Sequence, residues 1–193
     1  MITEVAAYPV RLPVRTILHL ARGAAADAAG APHVFVRLRD SEGAEGWGEA
    51  RPSPRWSDET SRTVTSTIRD FLGPALIGRD PSDLAGIHVA MDDVIAPGRT
   101  RGQPIAKSAV DLAVHDLLGR RLAIPLPVLF GRTAPRHLPL CWVVSADTPK
   151  AAAAQAEEGS RAGYRGFKVK IGMHPQLDVD IVSAVRDVDP AAY

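Results

Sequence analysis

From His137 onward the chain alternates short apolar runs with longer segments of helical composition, and this alternation limits the fold more than any other feature. Residues 138–144 read as a strand, 149–162 as an Ala-rich helix, 166–171 as a second strand and 175–188 as a second helix. Strands separated by helices of that length pair in parallel, because the helix carries the chain back to the start of the next strand. Gly163 supplies a helix C-cap, and Pro175 suits a first helical position, where its missing N–H costs nothing. Only two such units are visible, whereas a closed parallel barrel takes eight.

The preceding sequence has a different rhythm. Ile2 to Leu12, His33 to Arg39 and Ala44 to Ala50 are β-prone runs with turn residues between them, and Val34, Val36 and Leu38 share one face of the second. Asp40-Ser41-Glu42-Gly43 joins the second and third runs at hairpin length, so the sheet is antiparallel. Leu20 to Pro32 has no periodic apolar face and reads as a mobile loop of the length lids often have.

Three helices follow. Ser57 is the expected cap of the first, with Asp58 and Glu59 in its opening turn, Val64, Ile68, Phe71 and Leu72 on its apolar side, and Gly73-Pro74 as its stop. The second opens at Ser82 and sets Leu84, Ile87, Met91 and Val94 on one face. The third runs from Pro104 to Leu122, and its small residues Ala106, Ala109, Ala113 and Gly119 permit close approach of another element.

Composition narrows the function classes. With 23 Lys plus Arg against 22 Asp plus Glu and no run of like charge, nothing points to nucleic acid. The N-terminus lacks a signal-peptide pattern and no apolar run is long enough to span a membrane, so a cytoplasmic protein is expected, without a membrane partner. The single cysteine, Cys141, lies in an apolar strand and reads as an inert buried thiol.

The chemistry is concentrated in Gly166-Phe167-Lys168-Val169-Lys170-Ile171-Gly172. Alternation puts Phe167, Val169 and Ile171 on one face and both lysines on the other. Strands of parallel sheets are normally apolar on both faces, so the lysines need somewhere polar to point. In a closed barrel that place is the interior, at the strand C-terminal ends. Two ammonium groups this close repel, and desolvation adds to the effect; both favour a neutral amine able to act as a base. An edge strand with a solvated lysine face is the other reading of the pattern.

Other residues carry weaker signals. Asp111 and His115 stand at i and i+4 on the third helix, a spacing open to metal binding, although a structural contact explains it with fewer assumptions. Asp178, Asp180, Asp187 and Asp189 read as a solvated helix face or helix end.

Three stretches, in order, resemble the mandelate racemase and muconate-lactonizing enzymes of the enolase superfamily. They are Gly46-Trp47-Gly48-Glu49-Ala50, the helix from Ala106 to Gly119 with Ile124-Pro125-Leu126 and Leu129-Phe130-Gly131 after it, and the Lys-Val-Lys strand of that family's muconate-lactonizing type. The resemblance implies an α+β capping domain over residues 1–135, followed over 136–193 by the first two βα units of a modified, incomplete TIM-type (β/α) barrel. It implies a Mg²⁺-dependent isomerase or lyase that removes the proton α to the carboxylate of a small-molecule substrate. The reactions open to it are racemisation or epimerisation of amino-acid derivatives, cycloisomerisation, and dehydration of hydroxy acids or hydroxyproline.

By the same resemblance Lys170 is the acid/base group, and Lys168 tunes it and helps hold the carboxylate. His19 and Arg22 flank the loop that folds over the site in relatives, Trp56 and Arg51 lie on the next loop, and Trp142 and Ser145 lie on the first barrel strand; all are candidate substrate contacts. The family's metal ligands come from later strands, so no ligand is assigned here and Mg²⁺ belongs to the complete enzyme. The competing expectation is an inactive truncated fragment or capping domain serving only assembly or binding, and a homo-oligomer fits either case.

Overall fold

The computed structural model describes residues 1–15, 19–20, 23–24, 29–100, 102–133 and 137–192. The chain forms two compact units, Met1–Pro13 with Ala29–Ala134, and Val14–Ala28 with Pro135–Tyr193.

In the first unit β1 (Ile2–Leu12), β4 (Ala31–Asp40) and β5 (Glu45–Ala50) make an antiparallel sheet in the order β1-β4-β5. Alternation sorts β4 as expected, with Val34, Val36 and Leu38 fully buried between half-exposed neighbours. The hairpin is closed by Asp40, whose Oδ1 accepts the N–H groups of Glu42 and Ala44 at 2.9 and 2.8 Å, while Gly43 takes a left-handed φ of 84°. Of the expected loop over 20–32, Leu20 pairs with Gly23 where β2 (His19–Leu20) and β3 (Gly23–Ala24) of the second unit run antiparallel, and Ala31 and Pro32 already belong to β4.

The first helical segment departs from expectation at both ends. Thr60, not Ser57, is the N-cap of α1 (Ser61–Thr67) and forms a capping box with Thr63. Ser57 turns back instead, with both its N–H and its hydroxyl donating to the Ser53 carbonyl. Nor does Gly73-Pro74 stop the helix. A π turn over Ile68–Leu72 leads directly into α2 (Gly73–Leu76), with the Gly73 N–H bonded to the Ile68 carbonyl. The wider turn makes room for the Pro74 ring beside the carbonyl four residues back.

The π turn also realigns the apolar stripe. Residues four apart drift by about 40° per step on a 3.6-residue helix, and the wider turn takes that drift back. Val64, Ile68, Leu72 and Leu76 therefore all reach the core fully buried, each contributing about 1.5–3 kcal/mol, whereas Phe71 is left 49% exposed.

Asp83 caps α3 (Leu84–Val94) by accepting from Gly86, and the helix buries Ile87 and Met91 but not Val94. α4 (Pro104–Leu122) has the expected bounds and lies against the sheet through Ala106, Ala109, Ala113 and Leu117, all fully buried. A short α5 (Leu126–Leu129) follows.

In the second unit β6 (Cys141–Val144) and β7 (Gly166–Val169) are parallel neighbours, each followed by a helix: α6 (Pro149–Arg161) and α7 (Pro175–Val188). Both strands are shorter than the apolar runs that encode them. Gly163, at φ 88°, ends α6 with its N–H on the Ser160 carbonyl, and Tyr164 bonds the Gly159 carbonyl behind it. No helix among the described residues is long and apolar enough to cross a membrane.

Candidate active site

The two faces of the β6–β7 pair are chemically different. Trp142 and Val144 from β6, with Phe167 and Val169 from β7, pack against Ala152 and Ala156 of α6 and Ile181 and Val185 of α7. Cys141, Val143 and Lys168 occupy the opposite face, where Val143 pairs with Lys168 in the register. Lys170 lies one step beyond β7, yet its N–H still donates to the Val144 carbonyl at 2.9 Å. The strand geometry therefore continues through it, and both lysines emerge on the face turned away from the helices. Lys168 is exposed and Lys170 half-buried.

This sorting places Trp142 with the helices and corrects the expected burial of Cys141. Trp142 is not on the lysine face. It sits under α6, edge-on to Tyr164 with ring centroids 5.1 Å apart, and its Cγ is 2.6 Å from where a Cβ on Gly159 would stand. Being two residues before Val144, it has to share Val144's side. Cys141 is exposed, not buried, for the complementary reason. Gly159→Ala should accordingly cost about 1–3 kcal/mol by overpacking Trp142, measured as a lower thermal midpoint; an unchanged midpoint would contradict this packing.

Ser145, next along β6, is buried at 6% exposure. The Gln155 side chain of α6 grips its main chain at both groups: Oε1 accepts from the Ser145 N–H at 2.8 Å, and Nε2 donates to its carbonyl at 3.1 Å. A parallel contact holds the turn after Lys170. Asp178, in the first turn of α7, accepts the N–H of Gly172 at 2.8 Å and that of Met173 at 3.3 Å. Of the two roles expected for Asp178, a solvated helix face or a helix end, the structure shows the helix end, whereas Gln155 carries no signal in the sequence. An acidic residue shortly after a strand-ending glycine was the available signal.

The remaining candidates lie on other elements. Trp56 is 66% exposed, in a turn where its N–H bonds the Ser53 carbonyl at 2.9 Å, and Arg51 is exposed at the end of β5. His19 is described only as backbone of β2, and Arg22 lies outside the described residues. Asp111 and His115 join helices. The His115 Nδ1–H donates to the Asp111 carbonyl at 2.9 Å, and Asp111 Oδ1 meets His88 Nε2 of α3 at 2.6 Å. Asp180 accepts from Gln176 at 2.9 Å and Asp189 faces Arg165 at 3.6 Å. Among the described residues no three His, Cys, Asp or Glu side chains converge to hold a metal ion.

Residues 2–131 match the family model described as mandelate racemase / muconate lactonizing enzyme, N-terminal domain. The chain belongs to that family. Its relatives in the enolase superfamily include N-succinyl-L-Arg/Lys racemase of Bacillus cereus, 32% identical over 96% of this chain and 48% of the racemase. The crystal structure of that racemase superposes with a TM-score of 0.88 at 31% identity, covering 97% of this chain and 49% of the racemase. A dipeptide epimerase of Enterococcus faecalis, complexed with Mg and the dipeptide L-Leu-L-Tyr, gives a TM-score of 0.87 at 28% identity over 97% of this chain and 50% of its own. A chloromuconate cycloisomerase of Pseudomonas putida is 33% identical over 69% of this chain and 35% of its own. The chain thus spans about half the length of these family members, as their N-terminal portion.

Proposed function

We propose that this chain is the N-terminal portion of an isomerase or lyase that moves the proton on the carbon α to a substrate carboxylate, with Lys170 as the acid/base group. The observation that carries the proposal is the placement of Lys168 and Lys170 on the one face of the βα pair that the helices leave uncovered. On this reading the Lys170 amine takes the α-proton, and the electron pair of the broken C–H bond passes into the carboxylate as an enediolate. The Lys168 ammonium lies beside a carboxylate oxygen and opposes the charge gathering there. Residues 1–135 form the capping domain and 136–193 begin the (β/α) barrel.

Mg²⁺ accompanies two dipeptide epimerases of similar fold. The described residues here assemble no group of three His, Cys, Asp or Glu side chains that could hold it. Racemisation or epimerisation of an N-acylated amino acid or dipeptide is the favoured reaction, because N-succinyl-L-Arg/Lys racemase aligns in sequence over 96% of this chain, against 69–80% for chloromuconate cycloisomerases.

The test uses the protein encoded by the complete gene, incubated in D₂O with MgCl₂ and a panel of N-succinyl amino acids, dipeptides, cis-3-hydroxyproline and muconate. Mass spectrometry should show one deuterium gained at Cα of one class, and Lys170→Ala should slow that exchange by about 100-fold or more. Absence of exchange in every acid, or a Lys170→Ala rate equal to wild type, would overturn the reading.

A further inference from the structure

The two βα units share a device that strand pairing does not require. In each, a polar side chain on the helix reaches back and binds main-chain groups just past the preceding strand: Gln155 on both polar groups of Ser145, Asp178 on the N–H groups of Gly172 and Met173. Those segments flank Lys170. Its own N–H is fixed to the carbonyl of Val144, the residue before Ser145, and Gly172 begins the turn two residues after it. Gly172 has a φ of 108°, a conformation other residues rarely adopt, so the chain turns sharply there and would lose its hold on the strand end if the turn were loose.

We propose that Gln155 and Asp178 are positioning residues for Lys170, holding the two strand ends beside it in fixed register. The Gln155 amide supplies one acceptor and one donor, as a further strand residue would, and so extends the β6 ladder past its last residue. The Asp178 carboxylate offers an oxygen to each of two successive N–H groups, and charged acceptors make the stronger bonds. An amine on a long flexible stem loses alignment readily when its backbone shifts, and small displacements at a reacting group are costly in rate. The inference rests on the acid/base role proposed above for Lys170, but its test does not require turnover.

The experiment is trace acetylation of the complete protein with isotopically labelled acetic anhydride, read by peptide mass spectrometry. Lys150, exposed on α6, is the internal standard, and Lys168 is the control. Asp178→Ala and Gln155→Leu should each raise labelling of half-buried Lys170 relative to Lys150 by about threefold, as local opening exposes the strand end. Lys168 should keep its ratio, and Asp178→Asn, which retains one acceptor oxygen, should fall between wild type and Asp178→Ala. If the Lys170 ratio does not move, or if Lys168 rises with it because the whole unit loosens, the positioning role is overturned. In exchange assays the same variants should lose kcat while KM changes little, and an equal loss in both would also overturn it. Failure of the wild type to exchange any α-proton sinks the acid/base reading, whereas the labelling ratios decide separately whether these residues hold Lys170.

Discussion

Gly48→Ala is expected to lower the thermal midpoint of the first unit by about 10 °C or more, corresponding to a loss of about 3 kcal/mol. A Cβ at position 48 would stand 2.0 Å from the Ala109 carbonyl oxygen and 2.7 Å from the Ala113 nitrogen. Both are backbone atoms of α4, so no rotamer change relieves the clash and the helix has to lift from the strand. Lifting it opens the layer that Ala109, Ala113 and Leu117 fill, and adds cavity cost to the strain. Gly46 meets the same helix one turn on, where a Cβ would stand 2.2 Å from the Ala113 oxygen and 2.4 Å from the Leu117 nitrogen. The Gly-Trp-Gly motif is thus a seat for the helix: its two glycines face α4, and Trp47 between them faces outward.

A suitable control is Gly43→Ala. That position has no atom within 4 Å of a Cβ, so only the left-handed backbone is penalised, at about 1 kcal/mol. The order Gly48→Ala well below Gly43→Ala, followed by circular dichroism on heating, checks the argument. A Gly48→Ala midpoint equal to that of Gly43→Ala would refute it.

The contrast between these glycines shows what sequence could and could not convey. The small residues of α4 announced a close neighbour and its bounds followed from Pro104, but which element came close depended on the glycine spacing of β5, read only as a motif. The period-two rule found the common face of Lys168 and Lys170, because alternation is a property of the strand itself. The same rule, applied to Cys141–Val144, puts Trp142 with Val144 against the helices and leaves Cys141 exposed, against its expected burial. Other misses had tertiary causes. Ser57 and Thr60 are equally good caps in isolation, and a π turn that lets a helix run through Gly73-Pro74 leaves no signature in hydrophobic periodicity. The partners of Gln155 and Asp178 carry no sequence signal because the groups they bind belong to turns whose course the sequence does not display.

Glu59, next to the cap Thr60, binds a different helix, and Glu59→Ala should destabilise the first unit by about 3–5 kcal/mol. The carboxylate of Glu59 is fully buried and binds the start of α4, Oε1 accepting from the Ile105 N–H at 2.7 Å and Oε2 from the Ala106 N–H at 3.0 Å. Pro104 has no N–H, and the N-cap residue Gln103 makes no side-chain cap bond, so Glu59 answers the two donors, one part-buried and one buried, that the helix opening presents. Its charge also lies at the positive end of the longest helix in the fold. Removing it leaves both N–H groups without an acceptor and a void where the side chain stood. Glu59→Gln keeps one oxygen but turns an NH₂ toward a second donor, and should fall between wild type and Glu59→Ala. Asp58→Ala, at an exposed neighbour, should stay within about 0.5 kcal/mol. Urea unfolding midpoints decide the matter, and a Glu59→Ala midpoint equal to that of Asp58→Ala would mean that the buried carboxylate contributes nothing. The loss should reach the candidate site loop as well. Glu59 fastens the segment that begins with Arg51 and carries Trp56 to α4, so Glu59→Ala should speed amide hydrogen exchange from Arg51 to Thr60 beyond the increase in β1.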